Sequence, residues 1–378
     1  MDFAFTAEQR ELREMARAFL AERSDSQQVR AAMESALGFD PQTWKRIGAE
    51  LGWPAAAIPE SYGGAGMGAV ELCALMEPMG EALLCAPFFA SACLAASALL
   101  ACGSEAQKRA HLPGIASGEC IAALGFSPDS GHWDADAVQL RFRQDGGDAI
   151  LSGALRCVDG HCADLLLLAA RAEGSRGAEG ISLFAVPADA KGIARERLPT
   201  MDATRCLAAL RLDEVRVPAS ARLGEAEFAW PGLERALQRA AVALAAEQVG
   251  GAARCLQLAV AHARQRVQFG KPIGAFQALK HKMADMMVQV ETARSATYYA
   301  ACVADDDAAA LPAASAMAKA AASDAYTFCA GQALQIFGGV GFTWEYDLHL
   351  YFKRARSSAV LLGDSAWHRE RLAQCIGL

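Results

Sequence analysis

Apolar and polar positions change period twice along the chain. From Thr6 onward, Leu12, Met15, Ala16, Phe19 and Leu20 recur at three- and four-residue spacing, which predicts one face of a helix. Thr6 and Gln9 predict a capping box at its start. Near residue 121 the period falls to two. Val138, Leu140 and Phe142 alternate with Gln139, Arg141 and Arg143, as in a half-buried strand. Residues 165–168, 181–186 and 209–212 are further strand candidates, divided by Gly, Asp and Pro. Beyond about residue 222 the helical period returns. Leu233, Leu237, Ala240, Ala241, Leu244 and Val249 trace a stripe that continues through Leu256 and Val260. A second helix runs from about Phe276 with Met283, Met286, Met287 and Val290, a third over about 313–337 and a fourth over about 345–361. Long helices with short connections predict a four-helix bundle, with the methionines filling gaps in its core. The expected fold is mostly α with a central β domain. A helical domain spans residues 1–120, a small antiparallel barrel or sandwich 121–222, and the bundle 223–378.

Composition narrows the class. A chain of 378 residues at 53% hydrophobic content has room for two or three domains and a large core. A net charge of −7, with no basic stripe, argues against a nucleic-acid partner. The twelve cysteines show no CxxC and no Cys/His cluster at ligand spacing, so neither a metal nor a disulfide framework is expected. Free thiols and an acidic start, Met1-Asp2-Phe3, point to the reducing cytoplasm. Residues 83–102 carry no charge over about the length of a bilayer crossing, but they are rich in Ala, Ser and Cys and broken by Pro87. A buried helix is expected there, not a membrane span. Gly63-Gly64-Ala65-Gly66 completes no nucleotide motif and reads as a tight loop.

Two stretches carry chemistry. Arg266-Val267-Gln268-Phe269-Gly270-Lys271-Pro272-Ile273-Gly274-Ala275-Phe276-Gln277 joins a cation and two amides, and Gln335-Ile336-Phe337-Gly338-Gly339-Val340-Gly341 is a glycine turn. An arginine pairs with pyrophosphate in a bidentate fork, and paired glycines let backbone amides approach phosphate. Taken singly, Arg266 reads as a helix-end charge and Gly338-Gly339 as a C-cap. Together they resemble the RxxFGxPIxxFQ element and glycine turn of the acyl-CoA dehydrogenase family, and the order of helical domain, β domain and bundle is that family's plan. The resemblance implies FAD, contacted by Arg266, Gln268, Phe269, Ile273, Gln277, Gln335, Gly338 and Gly339. In that family these residues hold the adenosine diphosphate half of a neighbouring subunit's FAD.

Three other elements depart from the family pattern. The family's Tyr-Glu-Gly-Thr, which carries the catalytic base, falls on Leu361-Leu362-Gly363-Asp364. Its flavin-packing Trp-Ile-Thr falls on Cys157-Val158-Asp159, and its flavin loop on residues 125–134. A hydrocarbon at position 362 cannot take a proton. The chain therefore most resembles the base-lacking subunit of bacterial two-subunit acyl-CoA dehydrogenases. That resemblance implies a subunit that lends FAD contacts to a catalytic partner acting on CoA thioesters of bulky steroid side chains or dicarboxylic acids. An electron-transfer flavoprotein is the expected electron acceptor. The alternatives are a self-sufficient homotetramer using Asp364, Glu247 or Glu234 as base, a flavin oxidase or monooxygenase on this fold, and a scaffold without catalysis. Glu247 reads first as a partner for a nearby cation. His281 and Lys280 read as a polar helix face, and His349, His368, Lys353, Arg354, Arg356 and Arg369 as a helix-end ion-pair network or a CoA-phosphate patch. Trp344 and Trp367 read as packing or interface anchors.

Overall fold

The structure is a computed structural model that describes residues 5–126, 133–224 and 227–378. Its elements run from helices through strands and back to helices. Helices α1 (Ala7–Arg23), α2 (Ser26–Glu34), α3 (Pro41–Lys45), α4 (Ala69–Glu81), α5 (Ala96–Cys102) and α6 (Glu105–Ala116) come first. Strands β1 (Ala122–Gly125), β2 (Arg141–Asp145), β3 (Asp148–Val158), β4 (Leu165–Ala172), β5 (Ile181–Pro187), β6 (Ile193–Arg197), β7 (Leu207–Pro218) and β8 (Arg222–Leu223) come next. Then α7 (Trp230–Gln265) leads through a hairpin, β9 (Val267–Gln268) and β10 (Lys271–Pro272), to α8 (Gln277–Asp306), α9 (Leu311–Phe337), α10 (Leu348–Val360) and α11 (Ser365–Cys375). The chain is mostly α with a central β region, as expected.

Contacts divide the chain into two compact units. One comprises Met1–Ala31, Ala69–Leu84 and Ala241–Leu378, and the other Ala32–Gly68 and Cys85–Ala240. In the first, the Thr6 hydroxyl accepts from the Gln9 amide at 3.2 Å while the Gln9 side chain accepts from the Thr6 amide at 3.0 Å, so the capping box forms. Ala16, Phe19 and Leu20 are buried, but Met15 is 55% exposed and leaves the predicted stripe. Small residues decide how closely the long helices approach. A Cβ at Gly80 would lie 1.9 Å from the Glu247 carbonyl oxygen, and one at Gly250 would lie 1.9 Å from that of Glu77. Of the α8 methionines, Met286 is buried, whereas Met287 is 49% exposed and does not fill the core.

The second unit is built on one sheet in the order β6-β7-β3-β2-β4-β5-β8, with β1 beside β4. Most pairings are antiparallel, but β1 and β2 both run parallel to β4, which corrects the purely antiparallel expectation. The predicted alternation holds in β2, where Phe142 is buried between exposed Arg141 and Arg143. The uncharged run is buried as a π-helical turn (Phe89–Ala95) continued by α5. Among the described residues no helix is long and apolar enough to cross a membrane. The loop at Gly63 is tight, as expected. The Ala65, Gly66 and Met67 amides bond to the carbonyls of Ala55, Ile58 and Ala56, so they are not directed at a ligand.

Candidate functional site

The first glycine turn is built where α7 stops. Phe269 and Gly270 occupy φ of 54° and 77°, the left-handed pair that a two-residue hairpin between β9 and β10 requires. Holding a phenylalanine there costs about 1 kcal/mol. That ring is nevertheless 90% exposed, and it meets Phe276 edge-on at 6.1 Å. Beyond the hairpin the Ile273 amide donates to the Arg266 carbonyl at 2.8 Å, and α8 begins at Gln277 without a side-chain cap. Uncapped helix amides suit a phosphate. The second turn lies at the same end of the bundle, because His262 of α7 stacks on Phe337 of α9 at 4.0 Å. Gly338, at φ 66°, and Gly339 have no heavy atom within 4 Å of a built Cβ. Arg266, Gln268, Gln277 and Gln335 are exposed, and Ile273 is half-buried. The structure thus brings together all eight residues assigned to FAD by resemblance, at one open end of the bundle. Nearby, Val340, Phe342 and Trp344 are 43%, 68% and 64% exposed. Arg30 and Lys353 both approach the Trp344 ring.

The turn after α10 is closed. Leu362 is 4% exposed at φ 61°, and a Cβ on Gly363 would meet the Trp367 ring at 2.5 Å. The Lys319 ammonium, on a fully buried side chain, donates to the carbonyls of Ala359 at 3.3 Å and Gly363 at 3.1 Å and to Ser323 Oγ at 2.9 Å. It caps the C-terminal end of α10. His368 Nε2 donates to the Leu362 carbonyl at 3.0 Å. Burial, reinforced by the Lys319 charge, pushes His368 down to about 3, so it is neutral and a poor base. Asp364 is spent as the N-cap of α11, accepting from the Trp367 amide at 2.8 Å. Glu247 meets a cation, as expected: it accepts from Arg354 Nη1 at 2.9 Å in a buried pair that joins α7 to α10. Ala240, earlier on α7, is buried and carries no acid. Arg354 with Glu247 and Arg369 with Asp324 make the basic cluster largely an ion-pair network. His349 is buried beside Trp344, while His281 and Lys280 are exposed on α8.

In the second unit, Cys157 at the end of β3 is buried, and burial pushes its thiol up to about 12, so it is no nucleophile. Asp159 comes next but one, at φ 56°, and is 7% exposed. Of the loop at 125–134, residues 127–132 lie outside the described residues; Phe126 packs between Trp133 and Trp230.

Family models of the acyl-CoA dehydrogenase N-terminal domain and C-terminal domain match residues 6–119 and 230–377. The chain belongs to the acyl-CoA dehydrogenase family. It is 36% identical to acyl-CoA dehydrogenase IpdE2 of Mycolicibacterium smegmatis over 97% of this chain and 98% of that protein. Its fold matches a chain of the ChsE4–ChsE5 complex from Mycobacterium tuberculosis with a TM-score of 0.89 at 26% identity, covering 100% and 99% of the two chains. It also matches a chain of the Tcur3481–Tcur3483 steroid acyl-CoA dehydrogenase G363A variant with a TM-score of 0.87 at 30% identity, covering 98% and 97%. FAD is the cofactor of this acyl-CoA dehydrogenase fold, and the open bundle end fits it: a cation, amide side chains, bare glycine backbone and uncapped helix amides.

Sequence reasoning missed Lys319, whose burial shows only once α9 is packed against the α10–α11 turn. It also missed the N-cap role of Asp364, although an Asp directly before Ser365-Ala366-Trp367 is an ordinary start signal for a helix.

Proposed function

We propose that this acyl-CoA dehydrogenase chain is the FAD-lending, base-lacking subunit of a hetero-oligomeric enzyme, an oxidoreductase acting on a CH–CH bond of a CoA thioester. The observation that carries the reading is the pairing of two ends of one helix. The end of α10 near Gly338 is open and holds the residues assigned to FAD, while the end at Leu362 is closed, with a hydrocarbon at the base position and Asp364 engaged as the cap of α11. Arg266 would pair with the pyrophosphate, Gln268, Gln277 and Gln335 would meet ribose and adenine edges, and the Gly338-Gly339 backbone would approach the phosphates. Phe269 and Ile273 would cover apolar faces of the nucleotide. Bound FAD supplies the hydride acceptor, and the catalytic partner supplies the carboxylate that removes the α-proton. Asp364 is not that carboxylate, because its oxygen is committed to capping α11.

Three features support the wider reading. Met287 and Val288 on α8 and Phe328 on α9 are exposed by 49%, 63% and 36%, an apolar face suited to another chain. The two-chain character of ChsE4–ChsE5, and the steroid named for Tcur3481–Tcur3483, favour a two-chain enzyme and a bulky steroid acyl group over a short chain. An electron-transfer flavoprotein would reoxidise the complex in the cytoplasm. The test is Arg266→Ala in the reconstituted complex. Loss of a bidentate charge-assisted contact should weaken FAD retention at least about tenfold, read as the flavin-to-protein absorbance ratio after dialysis. An unchanged ratio would remove Arg266 from the FAD site.

A further inference from the structure

The β unit brings together three side chains that the acyl-CoA dehydrogenase reading leaves without a role. Val158 at the end of β3 pairs with Leu207 at the start of β7, so the residues just outside this pairing, Asp159 and Cys206, lie side by side. The Asp159 amide donates to the Cys206 carbonyl at 3.0 Å, and the Cys162 amide donates to the Asp159 carbonyl at 3.2 Å. This folds residues 159–162 into a turn and returns His161 toward the same place. An Asp159 carboxylate oxygen, a His161 ring nitrogen and Cys206 Sγ all lie within 4.8 Å of one another.

The histidine is oriented for a ligand role. Its Nε2 lies 3.0 Å from the Leu37 carbonyl oxygen, which can only accept, so the proton sits on Nε2. The lone pair is left on Nδ1, and Nδ1 is buried with no hydrogen-bond partner. A backbone carbonyl that fixes the tautomer and leaves the other nitrogen's lone pair available is the outer-shell arrangement of a metal-bound imidazole. The walls are close. A Cβ at Gly38 would stand 2.1 Å from Cys206 Sγ, so the segment carrying the Leu37 carbonyl presses directly on the sulfur. The surrounding guanidiniums are engaged elsewhere: Arg195 with the carbonyls of Gly160 and Ala163, and Arg197 with those of Met33 and Ser35. A carboxylate and a thiolate together match a divalent cation, so a filled site is neutral beside those two arginines.

We propose that Asp159, His161 through Nδ1, and Cys206 form a binding site for a zinc-class divalent transition metal. The donor set of oxygen, nitrogen and sulfur selects such an ion over magnesium or calcium, which take oxygen ligands. Bond lengths of about 2.0–2.3 Å place tetrahedral ligand atoms about 3.3–3.7 Å apart, so closing the present spacing needs shifts on the order of 1 Å. Cys206 gives up its thiol proton on binding, and the three protein ligands leave a fourth position for water or the neighbouring Cys162 thiol. Cys162 Sγ already lies 3.2 Å from the Asp159 carbonyl. The expectation of no Cys/His cluster at ligand spacing misses this group because Cys206 reaches it through β-strand pairing, not through sequence proximity.

The experiment uses the full chain purified without chelator, loaded with zinc or cobalt(II), desalted, and analysed by elemental mass spectrometry and absorbance. About one equivalent of zinc per chain is expected, and the cobalt form should show a thiolate-to-cobalt charge-transfer band. Asp159→Asn and His161→Gln, each checked for fold by circular dichroism, should weaken zinc at least about tenfold, and Cys206→Ser should abolish the charge-transfer band. If a substitution prevents folding, the wild-type melting temperature serves instead: zinc should raise it and EDTA should return it to the metal-free value. Zinc below about a tenth of an equivalent with no cobalt–thiolate band would overturn the proposal. So would undiminished zinc in the folded variants, or a melting temperature indifferent to zinc.

Discussion

The two ends of α10 are some 20 Å apart at 1.5 Å per residue over its thirteen residues, and they are built on opposite principles. At the beginning, aromatic residues are exposed, glycines have open space around them, and a phenylalanine is held at positive φ with its ring 90% exposed. At the far end the polar groups are turned inward. Lys319 holds two carbonyls, His368 holds a third, and Asp364 caps the next helix. A monomer gains nothing from the first arrangement, since an exposed ring on a strained backbone costs free energy in isolation. The second stabilises the chain by committing Lys319, Asp364 and His368 Nε2 to contacts within it. An end open to something outside the chain beside an end tied to the chain itself is the contrast on which the proposed lending role rests.

The comparison breaks first where the closed end is tied to the bundle. Glu247→Ala leaves Arg354 buried without its carboxylate, which should cost about 3–5 kcal/mol in urea denaturation. The open end should respond differently, because Arg266→Ala changes an exposed residue and should shift stability by less than about 0.5 kcal/mol while depleting FAD from the complex. Next in size is the pH dependence. The usual value of 6.5 for His368 is pushed down to about 3 in the folded chain. Between those values the unfolded chain binds a proton that the folded chain does not, so stability falls as pH is lowered through that window. The slope from this residue is about 1.4 kcal/mol per pH unit. Urea midpoints at pH 7 and pH 5 should separate further in the native chain than in His368→Gln; equal separation would mean the imidazole is not held neutral. Last is Asp364→Ala, which removes a helix cap worth about 1 kcal/mol and should leave turnover of the reconstituted complex unchanged. A collapse in turnover at unchanged fold would make Asp364 the base.

Legibility in the sequence tracked how local each determinant is. The Thr6–Gln9 box, the β2 alternation and the long bundle helices were readable because each rests on neighbours a few residues apart. The turn at Gly338 was readable as a glycine motif, whereas the hairpin at Phe269-Gly270 showed only in the structure. Met15 and Met287 were misplaced, since an apolar side chain states its preference for burial but not which chain will bury it. The parallel pairings of β1 and β2 with β4 depend on long-range register that alternation does not encode. Lys319 was hidden for a related reason: only the packing of α9 against the α10–α11 turn reveals acceptors for a lysine with no exposed surface.

The most direct test of the central claim is turnover by the chain alone. Purified without any companion and supplied with FAD, a steroid-side-chain CoA thioester and an artificial electron acceptor, it should show no dehydrogenation above the protein-free rate, and activity should appear on adding a family partner that carries the glutamate. Sustained dehydrogenation by the isolated chain would contradict the account.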